Sequence, residues 1–162
     1  MKVLMLNGSC NPKGCTYTAL TEVGKTLTSA GIDYEIVQLD GGPVRDCIGC
    51  NQCSKNGCVF TDDGVNDFIA KARQADGFVF GTPVYYAHPS GRVLSFLDRV
   101  FYAGGSAFAG KPGAAVASAR RAGTTASLDA LGGEYHTPEG TSVWLADVEL
   151  EPYQALLVKT NK

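Results

Sequence analysis

The sequence predicts an α/β fold: an open parallel sheet with helices on both faces. Three observations carry it. Short apolar runs alternate with stretches whose apolar residues recur at helical spacing. A polar, glycine-bearing segment follows each of the leading runs. The 162-residue length suits one domain with its own core.

The elements follow in order. Lys2 to Asn7 is a short apolar run that stops at Gly8-Ser9, a strand running into a loop. From Thr16 the apolar positions Leu20, Val23 and Leu27 mark a helix, and Gly31 ends it. Tyr34 to Leu39 is a second strand, completing a βαβ unit, and a long cysteine-bearing loop opens at Gly41-Gly42-Pro43. An acidic turn at Asp63 precedes Val65, Phe68, Ile69 and Ala72 on a second helix. Gly77 to Gly81 is a third strand, Thr82 to Tyr86 the loop after it, and Ser90 the cap of a helix carrying Val93, Leu94, Phe96, Leu97 and Val100. Gly113 to Ala117 is a fourth strand, and a loop from Ser118 to Thr125 leads to a short helix around Leu128 and Leu131. Strands apolar on both faces belong in a parallel sheet covered on each side.

The last thirty or so residues change rhythm. Val148 and Leu150 alternate with Asp147, Glu149 and Glu151, and Pro152 interrupts before Tyr153 to Val158. That period of two predicts an atypical hairpin-like tail over 132–162, packed on a domain formed by 1–131. Its Pro152-Tyr153-Gln154-Ala155-Leu156 resembles the closing strands of all-β carbohydrate-enzyme domains.

Charge narrows the function. Lys plus Arg number 14 against 16 for Asp plus Glu, a formal net charge of −2, with no basic run to neutralise a row of phosphates. Nucleic acid is not an expected partner. No apolar stretch approaches the roughly 18 residues of a membrane span, and the N-terminal run is too short for a secretion signal. A membrane is not expected as a partner either, and the expected location is the cytoplasm.

The first loop, Gly8-Ser9-Cys10-Asn11-Pro12-Lys13-Gly14-Cys15-Thr16, sits where open parallel sheets bind ligands, beyond a strand's carboxyl end and before a helix N-terminus. Ser9, Asn11 and Thr16 offer side-chain donors, and Gly14 permits close approach of a phosphate. The Gly-Lys-Ser/Thr ending and the Gly-x-Gly-x-x-Gly spacing are both absent, so this is neither a P-loop nor a dinucleotide fingerprint.

The pattern Gly8-Ser9 with Gly14 and Thr16 resembles the phosphate loop of the flavodoxin-like NAD(P)H-dependent FMN reductases and iron–sulfur flavoproteins. Gly81-Thr82-Pro83-Val84-Tyr85-Tyr86, followed by Leu97-Asp98-Arg99, resembles that family's flavin-edge loop and the helix behind it. Ser118-Ala119-Arg120-Arg121-Ala122-Gly123 stands where its third flavin loop lies. The resemblance runs over about Met1 to Leu131. It implies FMN held by Ser9, Asn11, Gly14, Cys15, Thr16, Pro83, Val84, Tyr85, Tyr86, Ser118, Arg120, Arg121 and Gly123. The Pro83 to Tyr86 backbone would meet the polar edge of the isoalloxazine, and Tyr85 or Tyr86 would lie on its apolar body. Arg120 and Arg121 would set positive charge near the reduced flavin or a pyridine nucleotide phosphate. Surface packing is the alternative for the tyrosines, and solvated loop charge for the arginines.

Four of the six cysteines stand close in sequence as Cys47-x2-Cys50-x2-Cys53-x4-Cys58, a spacing suited to one compact polynuclear centre more than to two separated zinc pairs. The motif resembles that of the iron–sulfur flavoproteins, which implies a [4Fe–4S] cluster; zinc or free thiols are the alternatives. Cys10 and Cys15 are expected to pack or to position backbone, and His88 and His136 take no ligand role.

Taken together, the resemblance implies an FMN-dependent oxidoreductase that moves electrons from NAD(P)H, or from a redox partner, to a small-molecule or protein acceptor. Hydride chemistry would rest with the flavin, so no side-chain acid or base is demanded. A flavodoxin-like electron carrier without NAD(P)H turnover is the alternative. The family also implies a homo-oligomer, as its flavin sites commonly lie between subunits.

Overall fold

Alternation along strand β1 (Lys2–Asn7) sets the two faces of the sheet: Leu4 and Leu6 point to one side, Met5 to the other, and all three are fully buried. In this computed structural model residues 1–39, 41–53 and 57–131 are described, with backbone alone at 135–136, 142–143 and 159–160. Helix α1 (Cys15–Ser29) follows β1 and returns the chain to β2 (Asp33–Gln38), which pairs parallel to β1 from Lys2↔Asp33 to Asn7↔Gln38. Helix α2 (Val65–Ala72) then leads to β3 (Gly77–Tyr85), parallel to β1 on its other side. A two-residue strand, β4 (His88–Pro89), precedes helix α3 (Gly91–Gly104), a single 3-10 turn (Gly105–Ala107) and β5 (Gly113–Ser118), which pairs parallel to β3. Helix α4 (Thr124–Leu131) closes this part. The parallel order is β2-β1-β3-β5, the open sheet of the flavodoxin-like class.

Two apolar layers flank the sheet. Leu4, Leu6, Phe78 and Phe80 pack with Val65, Phe68, Ile69 and Ala72 of α2 and with Val93, Phe96, Leu97 and Val100 of α3. Met5 and Val79 pack against Leu20 of α1, with Val23, Leu27, Ala114 and Val116 around them. Each fully buried large side chain contributes about 1.5–3 kcal/mol, so these layers hold the strand ends, and the loops on them, in register.

Two expectations change. Strand β3 runs past Gly81 to Tyr85, so Thr82 to Tyr85 is strand and not loop; its last residues pair antiparallel with β4, as Val84↔Pro89 and Tyr85↔His88. Thr82, Val84 and Tyr85 favour extended backbone, and Thr82 and Pro83 pair with Ala117 and Ser118 of β5. Ser90 stands at the N-cap of α3 but makes no side-chain cap bond; its backbone N–H donates to Thr82 Oγ1 at 3.1 Å instead. In the tail, β6 (Tyr135–His136) pairs antiparallel with β7 (Ser142–Val143) and with β8 (Lys159–Thr160). The predicted alternation at Val148 to Leu150 and the segment Pro152 to Leu156 lie outside the described residues.

On β2, Glu35 receives hydrogen bonds from Lys2 Nζ at 2.6 Å and Lys71 Nζ at 2.5 Å, which hold its carboxyl below the usual value of 4.5 against a smaller opposing effect of burial. A depressed carboxylate pKa stabilises the fold above the unfolded value, and that stability is lost as pH falls through the folded one. Thermal unfolding across pH 3 to 7 should therefore show Glu35→Gln closing its gap to the parent chain below about pH 4.5. All three side chains are partly exposed, so the gap is small.

Candidate functional site

Three loops meet at the carboxyl end of the sheet. The first is held by a polar bracket at the ends of β1 and β2. Buried Asn7 donates from Nδ2 to Gln38 Oε1 at 2.6 Å and accepts the Ser9 N–H on Oδ1 at 3.2 Å, while Gln38 Nε2 donates to the Ser9 carbonyl at 2.7 Å. Ser9 Oγ then accepts the Asn11 N–H and Asn11 Oδ1 accepts the Lys13 N–H, which folds the loop into two successive side-chain turns. Gly14 is the N-cap of α1 and no side chain caps this end, leaving the first-turn N–H groups of a fifteen-residue helix for an anion.

Gly8 lies where no side chain fits. A Cβ there would stand 2.1 Å from Val93 Cγ2 and 2.7 Å from the Gly81 carbonyl oxygen, which accepts the Gly8 N–H at 2.8 Å. Gly8→Ala should cost about 1–3 kcal/mol by overpacking, read as a lower midpoint in urea unfolding.

The second loop is the β3–β4 hairpin, whose turn residues Tyr86 and Ala87 both have positive φ, 52° and 67°. Two non-glycine residues in that region store strain, which proteins keep chiefly where a site requires the shape. Tyr86 stands wholly in solvent and Tyr85 is half exposed, so packing is not what fixes Tyr86. The third loop follows β5. Its Gly123, at φ 98°, would place a Cβ 2.6 Å from Ala87 Cα and 2.8 Å from Val84 Cγ1, so this loop and the hairpin touch through the missing side chain. Val84, Tyr86, Ala87, Arg120, Arg121 and Ala122 line one open depression of about 360 Å³. The first and third loops are joined by Thr16 Oγ1 and Ser118 Oγ, 2.6 Å apart.

The cysteine loop, between β2 and α2, forms a second site. Cys47, Cys50, Cys53 and Cys58 all line one cavity of about 610 Å³, together with Asp98, Arg99 and Tyr102 of α3. Cys50 and Cys58 are half-buried, Cys47 and Cys53 exposed. Burial first, then the neighbouring Cys58, Cys50 and Cys47, push the Cys53 thiol above its usual 9.0. Among the described residues no three Cys, His, Asp or Glu side chains gather closely enough to hold a metal ion.

One residue organises this loop. Arg99, 1% exposed, pairs with Asp63 through Nη1 and Nη2 and donates from Nη1 to the Arg45 carbonyl, from Nη2 to the Phe60 carbonyl and from Nε to Cys58 Sγ at 3.3 Å. Burial alone would lower its pKa; the bonds to Asp63 and Cys58 reverse this and hold it above its usual value. One turn and two turns earlier on α3, Ser95 donates to Asp46 Oδ1 and Arg92 donates to the Gly42 carbonyl.

The structure thus brings Ser9, Asn11, Gly14, Cys15 and Thr16, the Pro83 to Tyr86 segment, and Ser118, Arg120, Arg121 and Gly123 to one end of the sheet. Thr16 is buried, so its hydroxyl ties α1 to β5. Cys10 and Cys15, expected to pack or to position backbone, are both exposed, and Cys10 Sγ accepts from Arg92 Nη1 at 3.0 Å. Asn7, Gln38 and Arg99 were not singled out as site residues from sequence. For the first two a signal existed, because each closes a strand with an amide and the parallel register sets them side by side.

The profile of the NADPH-dependent FMN reductase family matches residues 1–136. An iron–sulfur flavoprotein of Methanocaldococcus jannaschii is 35% identical over 100 residues, covering 61% of this chain and 51% of that protein. One from Archaeoglobus fulgidus is 33% identical over 99 residues, covering 61% and 48%. The chain spans about half the length of these curated relatives. Among solved structures, the NAD(P)H:quinone oxidoreductase from Methanothermobacter marburgensis aligns with a TM-score of 0.52 at 19% identity over 62% of this chain and 53% of that one. RosB with a bound intermediate aligns at 0.57 and 17% over 89% and 64%. At these identities the structural likeness is one of fold. Among the described residues no helix is long and apolar enough to cross a membrane.

Proposed function

The chain belongs to the NADPH-dependent FMN reductase family, and from that premise we propose that it is an FMN-dependent oxidoreductase carrying electrons from NAD(P)H, or a redox partner, to a small-molecule or protein acceptor. The observation that carries the proposal is the junction of three loops: Thr16 bonded to Ser118, and Gly123 seated against Ala87 and Val84. The uncapped N-terminus of α1 fits a phosphate, and the depression beside the strained hairpin fits the rim of a flat heteroaromatic ring.

In this reading Ser9, Asn11, Gly14, Cys15 and Thr16 bind or shape the phosphate end. The backbone of Pro83 to Tyr86 orients the ring edge, and exposed Tyr85 and Tyr86 close over it and exclude water. Arg120 and Arg121 set positive charge at the depression, toward a nucleotide phosphate or the reduced ring. FMN supplies two-electron acceptance and one-electron release when bound.

The four cysteines are proposed to hold an iron–sulfur cluster. A single zinc requires every thiolate about 2.3 Å from one point, whereas a cluster spreads its ligands over several irons. Four cysteines that line one cavity supply the four thiolate donors such a cluster takes. A homo-oligomer and a cytoplasmic location complete the proposal.

Anaerobic stopped-flow mixing of the FMN-loaded chain with NADPH tests it. Bleaching of the flavin, followed by reoxidation with a quinone, is the expected result. A flavin that dithionite reduces and NADPH leaves oxidised identifies an electron carrier and rejects the reductase.

A further inference from the structure

We infer that Arg99 sets the reduction potential of the centre held by the cysteine loop, through its Nε–H bond to Cys58 sulfur; the inference rests on the cluster proposed above. The guanidinium uses all five of its donors: two on Asp63, two on the Arg45 and Phe60 carbonyls, and Nε on Cys58 Sγ at 3.3 Å. Four of these bonds hold the loop. The fifth has no holding partner in the backbone and ends on a sulfur that would ligate iron.

The side chain is 1% exposed and lies on the wall of the cysteine cavity, in direct contact with Cys58 sulfur, so its charge acts on that thiolate with no solvent between them. The ring of Phe60, 5.1 Å from the guanidinium carbon, covers it on one side. Burying Arg99 with Asp63 costs desolvation that an apolar pair would avoid, and an apolar pair would fill the space as well. What it could not do is donate to sulfur.

The electron balance gives the sign. One-electron reduction adds a negative charge shared by the irons and their sulfur ligands, with no proton required. A donor and a buried cation beside Cys58 stabilise the reduced form more than the oxidised one, so Arg99 raises the potential.

The test is an anaerobic redox titration followed by electron paramagnetic resonance, on full-length chain reconstituted with iron and sulfide. Arg99→Gln removes the cation and alters the donor. Because it leaves Asp63 unpaired, the double variant Arg99→Met with Asp63→Leu is measured beside it, removing both charges and the bond to sulfur together. A midpoint more negative than that of the parent chain in both variants, at matching iron content, is expected. An unmoved midpoint overturns the inference, and so does loss of the cluster from both variants, since holding the loop then accounts for Arg99. A parent chain that takes up no iron removes the cluster reading itself, which iron and sulfide analysis reports separately.

Discussion

Asp63→Ala should lower the free energy of unfolding by about 3–5 kcal/mol, the largest stability loss expected of any single substitution here. Asp63 is almost fully buried and is the only carboxylate among the described residues that pairs with Arg99. Its removal leaves a buried guanidinium with two donors unmatched and a full charge uncompensated. Domains of this kind have about 5–15 kcal/mol in all, so the variant should unfold at a much lower urea concentration. Adding Arg99→Met should recover most of the loss, because the destabilisation comes from the orphaned charge and not from the missing carboxylate. A double variant as unstable as the single one would contradict this cause and assign the loss to the bonds the pair makes to the loop.

Gly123→Ala should weaken FMN binding by at least about tenfold, a free-energy change of roughly 1.4 kcal/mol. The residue stands at φ 98°, where an L side chain is strained at a cost of about 1–3 kcal/mol. Its new methyl would also lie within 2.6 Å of Ala87 Cα. The collision is with backbone, so it is relieved only by moving the third loop off the hairpin. That motion opens the depression between Arg120 and Tyr86 while leaving the buried layers around Leu4 and Phe96 untouched. Flavin fluorescence titration should therefore show the affinity loss with a much smaller change in unfolding midpoint. Unchanged affinity would separate these loops from the flavin.

The sheet and its helices were legible because their physics is local. Leu4, Met5 and Leu6 are apolar on both faces, Leu20, Val23 and Leu27 recur on one side of a helix, and each run is bounded by glycine. The hairpin was not legible: Thr82 and Pro83 stay extended by pairing with Ala117 and Ser118 of β5, and Val84 and Tyr85 by pairing with His88–Pro89, partners distant or unmarked in the sequence. Ser90 shows the same limit, since a buried Thr82 hydroxyl takes its N–H and the expected cap bond never forms. Three ligand loops could be named from glycines and hydroxyls that follow strands. Their coupling could not, because Thr16 meets Ser118 across 102 positions and Arg99 meets Asp63 across 36. Asp63 illustrates the cost of local reading: its sequence neighbourhood suggests an acid at a helix start, whereas its partner is a buried arginine on another helix.

On this reading the sheet end holds FMN beside a cysteine-bound centre. An anaerobic absorbance spectrum of freshly purified protein, before and after adding FMN and read with iron and sulfide content, tests it most directly. Flavin bands that sharpen on the protein, over a broad iron–sulfur shoulder with about four irons per chain, are the predicted result. A folded chain that leaves added FMN free in solution would contradict the account.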